Sequence, residues 1–343
     1  MAKGDTSSGR NNKIHISILL RISIKCGSCH RCHKSHLLPV AGQKMTINDW
    51  CGELARRVKF IRDIYSTYKI NLKSSEGLSL SLEEAEAVAA GQKTNEPFTQ
   101  GRLIRTVNDV HVIYAIAEIL EICVQAGLNV SNHLKQLTTG TVDYGTPEAR
   151  NKKTRFLKDF EFELFIASAL IRGKLKPEFP TQPNDPRGDL IVNGIFIEIK
   201  HPNSVKQLKK LISKFNKALV KEKLFGVFVV GLEDAYNMGD KPAFISNDEH
   251  NKWINSKRQK MENEGMELIK YASFLPQIVA MIQTQSKIVI IEGVSQMQRM
   301  GNSFLFNHRP SFSQYSQNAL AIAKIFNPQP VFYSQICAKF SCR

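Results

Sequence analysis

Asp189, Glu198 and Lys200 are the residues of this chain whose types and spacing most directly suggest chemistry, and they bracket one tight turn in "GDLIVNGIFIEIK". Asn193-Gly194 is a strong hairpin signal, because both residues tolerate the positive φ of a two-residue turn. With that turn, Val192 faces Ile195, Ile191 faces Phe196, Leu190 faces Ile197 and Asp189 falls opposite Glu198. Opposed residues of an antiparallel pair project to one face about 5 Å apart, and alternation brings Lys200 to that face too. Two carboxylates held so close repel unless a cation lies between them. Oxygen donors at this separation suit Mg2+ or Mn2+, and the backbone carbonyl of Ile199 supplies a third. Lys200 would then orient a water or neutralise charge developing on a phosphoryl group. The plain alternative is an edge strand with an ordinary Glu–Lys pair.

Two helices must position this hairpin. In "KDFEFELFIASAL", Glu163 shares a side with Phe160, Ile166, Ala167 and Leu170, and an acid on an apolar face needs a partner, a metal or water. Glu161, nearer Leu157, Leu164 and Phe165, is a second candidate, and a surface carboxylate paired with Lys158 or a nearby arginine is the simpler account of either. Behind the hairpin, "HPNSVKQLKKLISKFNKALVKEKL" places Val205, Leu208, Leu211, Ile212, Phe215 and Leu219 on one side of a helix. Lys206, Lys210, Lys214, Lys217 and Lys221 form a ridge on the other, with almost no acid before Glu222. Such a ridge is either a solvated face or a track for a phosphate backbone. The strand "FGVFVV" that follows completes a crossover long enough for a parallel connection.

In this order, a helix with Glu163, Asp189 opening a hairpin, Glu198-x-Lys200 closing it, then helix and strand, the chain resembles the PD-(D/E)XK nuclease superfamily from about Thr154 to Leu232, with Val294 as the outer bound of the resemblance. The resemblance implies a restriction-endonuclease-like fold, a four-stranded mixed sheet flanked by helices, and metal-dependent hydrolysis of phosphodiester bonds, usually in DNA. It further implies that Asp189, Glu198 and the Ile199 carbonyl hold Mg2+ or Mn2+, that Lys200 positions the attacking water, and that Glu163 holds a water or a second metal. No covalent enzyme intermediate is implied. One departure is that no proline directly precedes Asp189, whereas Pro186 follows Asp185 in "NDPRGD"; Asp185 could serve as ligand only with a different turn. Beside the nuclease stand a nucleic-acid-binding protein that keeps a nuclease-like fold without cleavage, and an RNA-processing enzyme. His201, next to the motif, is a substrate contact or a structural residue.

The rest of the chain frames this site. Of 343 residues, 42% are hydrophobic and 23% charged, as in a globular protein. The balance of 47 Lys+Arg against 31 Asp+Glu, a formal +16, favours a polyanionic partner, DNA first, with a second copy of the chain or a target-delivering protein as further partners. No apolar run has the length of a membrane span, and the N-terminal segment lacks a signal peptide's uninterrupted apolar core, so the expected location is cytoplasmic and away from membranes. Seven cysteines in a chain without export signals argue against a disulfide framework. Cys26, Cys29 and Cys32 in "CGSCHRCHKSH" have iron–sulfur or zinc spacing but lack a fourth thiolate, and an oxidisable tail is the simpler account.

Four segments are expected: a poorly structured Cys/His-rich appendage over 1–44, with Met45 an alternative start; a helical region over 46–140; a nuclease-like α/β domain over 149–300, its central mixed sheet flanked by helices; and a tail over 301–343 with one helix. In the helical region, Trp50, Leu54, Val58, Ile61, Tyr65 and Tyr68 mark a first helix, Ser81 with Glu84 a capping box for a second, and "NDVHVIYAIAEILEICVQAGL" a third, with "SNHLKQL" a short fourth. No chemistry is visible there. A helix over Met261 to Gln283 is expected to lead into the strand "KIVIIEGV". Near the end, "FNHRPSFSQYSQ" interleaves His308, Arg309, Phe312 and Tyr315, a pattern of nucleic-acid contact or of tail packing.

Overall fold

The computed structural model describes residues 25–26, 47–72, 77–91, 100–139, 156–181, 185, 187–202, 204–236, 243–291, 294–306, 312–328 and 331–332. Four helices come first among the longer elements: α1 (Ile47–Thr67), α2 (Leu78–Ala89), α3 (Gln100–Gln125) and α4 (Ser131–Leu137). Leu54, Val58, Ile61 and Tyr65 of α1 are buried, as their spacing requires. The capping box does not form. Gly77, at φ +56°, is the N-cap of α2, and Ser81 lies inside the helix, where its buried hydroxyl donates to Asp109 of α3 at 2.8 Å. A tertiary partner for the serine outweighed its local capping preference.

α5 (Phe156–Arg172) carries Glu163, and the hairpin follows as β2 (Leu190–Val192) and β3 (Ile195–Lys200). α6 (Val205–Glu222) crosses over to β4 (Phe225–Gly231), which pairs parallel with β3. Ser204 caps α6 by accepting from the Lys206 amide. The remaining elements are β1 (Lys25–Cys26), β5 (Ala243–Phe244), α7 (Asn247–Ser273), β6 (Ile278–Ile291), β7 (Val294–Leu305), α8 (Phe312–Phe326) and β8 (Val331–Phe332). The expected helix over Met261 to Gln283 is corrected: α7 begins at Asn247, capped by Ser246, and ends at Ser273, and Ile278 onward is strand. The apolar run 278–282 belongs to the sheet because it pairs with β4 on one side and β7 on the other.

The fold is α/β, with a mixed sheet in the order β1-β7-β6-β4-β3-β2, β5 beside β6 and β8 beside β7. It is larger than the four strands the resemblance implies, because β6 and β7 form a long antiparallel hairpin beyond the parallel centre. The two faces bury different helices. Ile195, Ile197, Ile199, Val227 and Val229 pack in one cluster with residues of α1 to α5 and α8, while Phe196, Phe228 and Val230 pack with α6 and α7. The helical region and the sheet therefore share one hydrophobic core. Among the described residues no helix is long and apolar enough to cross a membrane.

Candidate functional site

The hairpin forms in the register that its turn dictates. Leu190 pairs with Ile197, Ile191 with Phe196 and Val192 with Ile195, with Asn193 at φ +49° and Gly194 at φ +78°. The helix α8 steadies the turn, since the Asn318 amide donates to the Asn193 carbonyl at 3.1 Å. Asp189 lies one residue before β2, and its amide donates to the Ile197 carbonyl at 2.8 Å, so the expected pairing opposite Glu198 is not part of the ladder. Its carboxylate nonetheless turns back onto β3 and accepts from the Ile199 amide at 2.7 Å. Gly188 allows this close approach: at φ +141°, a Cβ there would meet the Ile197 carbonyl oxygen at 2.8 Å.

Three oxygens converge on one cation, the ammonium of Lys200. Asp189 Oδ2 lies 3.0 Å from it, Glu198 Oε1 2.8 Å and the Ile199 carbonyl 2.9 Å. The two acids and the lysine are thus gathered at one point, as their alternation predicts. Burial works against the Lys200 charge, but Asp189 and Glu198 raise its pKa above the ordinary lysine value. Burial pushes the Glu198 carboxyl up to about 7, against the pull of Lys200. Among the described residues there is no group of three or more His, Cys, Asp or Glu side chains placed to hold a metal ion. The Lys200 donor set is of another kind: two carboxylates and a main-chain carbonyl, all hard oxygens, which fit Mg2+ or Mn2+ with waters filling the rest of the shell.

Glu163 approaches from α5. Burial, and next the charge of Asp189, hold its carboxyl well above the usual carboxylate range. Its hydrogen-bond partner is His133 Nε2, at 3.0 Å. His133 belongs to α4, in the region where the sequence shows no chemistry. Tyr65 of α1 fixes that helix by donating to the Leu134 carbonyl at 2.8 Å, and His133 is sandwiched between Phe160 and Phe179. Burial lowers its pKa to about 4, so the ring is neutral near pH 7. A histidine between Asn132 and Leu134 in a short helix gave no sequence signal for a partner that lies 30 positions away. Glu161 is also buried.

α6 lies on the same face of the sheet as Glu198. Leu208, Ile212, Phe215 and Leu219 are buried, and Lys206, Lys210, Lys214, Lys217 and Lys221 are all exposed. Lys214 is near enough for its charge to act on Glu198. Asp185 is engaged elsewhere: the Arg187 guanidinium grips it, with contacts at 2.7 and 2.9 Å, and holds its carboxyl below the usual range. Lys158, expected as a surface partner for an α5 glutamate, is buried and bonded to Asp234 at 3.1 Å.

His201 is buried in a second charged cluster, with Nε2 3.3 Å from Glu233 and 3.9 Å from Asp234, and Nδ1 3.9 Å from Asp159. Its side chain is enclosed, which favours the structural account over substrate contact. Tyr315 stacks against Phe225 with ring centroids 4.5 Å apart, which matches tail packing; His308 and Arg309 lie outside the described residues. So do Cys29 and Cys32, while Cys26 is described only as backbone of β1, paired with Arg299. The chain has no match among protein-family models, curated proteins or solved structures.

Proposed function

We propose that this chain is a divalent-metal-dependent nuclease, most simply an endonuclease acting on DNA, built on a restriction-endonuclease-like core. The observation that carries this reading is the convergence of Asp189, Glu198 and the Ile199 carbonyl on a single cationic point beside a helix with six exposed lysines. A protein that only binds polyanions has no need to gather two acids beside a basic ridge. They make sense as holders of a cation that the phosphate also touches.

In this reading Asp189, Glu198 and the Ile199 carbonyl hold Mg2+ or Mn2+, and the ion supplies Lewis-acid polarisation of a phosphoryl oxygen and a more acidic water. The chain's own groups do the remainder. Lys206, Lys210, Lys214, Lys217 and Lys221 anchor the backbone of the nucleic acid. Lys200, freed from the carboxylates, places its charge against the oxygens of the attacked phosphate. Glu163, kept in orientation by His133, faces the same space and accepts a hydrogen bond from water. Water adds to phosphorus as the bond to the leaving sugar oxygen breaks; the water gives up one proton to solvent, and the sugar oxygen takes one up.

The runner-up is a nucleic-acid binder with a nuclease-like fold. Its support is that Lys200 already neutralises both acids, which is all that a structural ion-pair cluster needs. Incubation with supercoiled, linear, single-stranded and branched DNA, in Mg2+, Mn2+ or EDTA, separates the two. Cleavage that requires metal and disappears in Asp189→Ala, with DNA binding retained, supports the nuclease. Tight binding without cleavage in any metal condition favours the binder.

A further inference from the structure

Lys200 holds the three oxygens that the proposed metal would take. Its ammonium contacts Asp189 Oδ2, Glu198 Oε1 and the Ile199 carbonyl at 3.0, 2.8 and 2.9 Å, and one point cannot hold two cations. Two of the three oxygens do not depend on the lysine for their place. Asp189 Oδ2 is independently fixed by the Ile199 amide at 2.7 Å, and the Ile199 carbonyl is set by the pairing of β3 with β4. The Lys200 side chain is 29% exposed, so it has a way out toward solvent.

We infer that Lys200 is a built-in competitor for the metal: ammonium and divalent ion occupy the same oxygen cage in exchange, and metal entry ejects Lys200 toward the substrate phosphate. This rests on the metal reading above and adds its regulation. The metal-free protein is self-locked, its acids masked, so that it can meet a polyanion without repelling it. Metal then performs two tasks in one event, filling the cage and releasing the lysine. Apparent metal affinity is reduced by the fraction of molecules with Lys200 undocked, so a cage closed nine-tenths of the time weakens binding about tenfold.

The test measures Mn2+ affinity by titration of the full chain without nucleic acid, for the wild type, Lys200→Met and Lys214→Met. Lys214 also acts on Glu198 by charge but is exposed on α6, so it reports the effect of losing a nearby cation without opening the cage. Binding about tenfold tighter in Lys200→Met, with little change in Lys214→Met, is the expected result. Equal tightening in both variants, or none in Lys200→Met, overturns the exchange and leaves the metal reading standing. No Mn2+ binding in any of the three proteins ends the metal reading and the exchange with it. Because Lys200→Met removes the partner of two half-buried acids, a second measurement uses the wild-type chain: a brief pulse of amine acylation read at Lys200 by mass spectrometry. Labelling that rises with saturating Mn2+ supports ejection, and labelling that stays level or falls overturns it.

Discussion

Lys200 and His201 are consecutive residues that end in two opposite kinds of charged cluster. Around Lys200 the side chains of Asp189, Glu198 and Lys200 are 21%, 15% and 29% exposed, at the edge of the sheet and beside the lysine ridge. Around His201, the side chains of His201, Asp234 and Lys158 are 3%, 6% and 2% exposed, walled in by α5 and the end of β4. The ingredients are similar, acids around a cation, but only the first cluster can trade its cation with solvent. In the second, Glu233 and Asp234 raise the His201 pKa even though burial opposes the charge, and both cations are buried although Asp159 at the rim is exposed. Accessibility, rather than residue type, separates the cluster proposed to do chemistry from an ion-pair network that fastens the first turn of α5 to the sheet.

The comparison breaks most sharply by truncating one acid in each cluster. Asp189→Ala is expected to lower metal-dependent cleavage about a thousandfold, the scale of removing a principal transition-state contact, while the protein stays folded. Asp234→Ala removes the carboxylate bonded to buried Lys158 and is expected to cost about 3–5 kcal/mol of stability, read by chemical denaturation. If the two variants exchange these phenotypes, the roles assigned to the clusters are reversed. Gly188→Ala tests how the open site is shaped: the strained backbone and the contact with the Ile197 carbonyl are expected to cost about 1–3 kcal/mol and to displace the Asp189 carboxylate, weakening Mn2+ binding.

Smaller effects sharpen the picture. Replacing Lys210 and Lys214 together by alanine is expected to reduce the salt slope of DNA binding by about 1–2, uniformly across sequences, as measured by titration at several ionic strengths. An unchanged slope would make the ridge an ordinary solvated face. The smallest effect is on pH dependence. Burial raises the folded Glu198 carboxyl from its ordinary 4.5 to about 7, so between those values the folded state holds more protons than the unfolded one. Its contribution to stability therefore falls as pH rises through that window. Glu198→Gln is expected to remove this part of the slope of unfolding free energy against pH in metal-free protein; identical slopes in the two proteins would show that Lys200 already compensates the carboxylate.

Much of the site was legible because its parts are local. Asn193-Gly194 dictated the register of β2 against β3, and alternation brought Glu198 and Lys200 to one face. The α6 pattern separated Leu208, Ile212 and Phe215 from the exposed lysines without reference to the rest of the chain. The α4 segment was also read with its correct bounds, Ser131–Leu137. What escaped is non-local. His133 meets Glu163 only because α1 fixes α4 against α5, and Ser81 left its expected cap because Asp109 of another helix offered a buried bond. The run 278–282 was mistaken for helix because a short apolar stretch carries no period of its own, and pairing with β4 decides it.

Local sequence thus determined the hairpin, the gathering of two acids and a lysine, and the lysine-faced helix, because turn chemistry and periodicity act over a few residues. Only the tertiary structure decided which cation the acids now hold, which of two neighbouring charged clusters is open, and which distant histidine supports Glu163. Those outcomes depend on burial and on distances between segments far apart in the chain, and side-chain spacing along a sequence does not encode either.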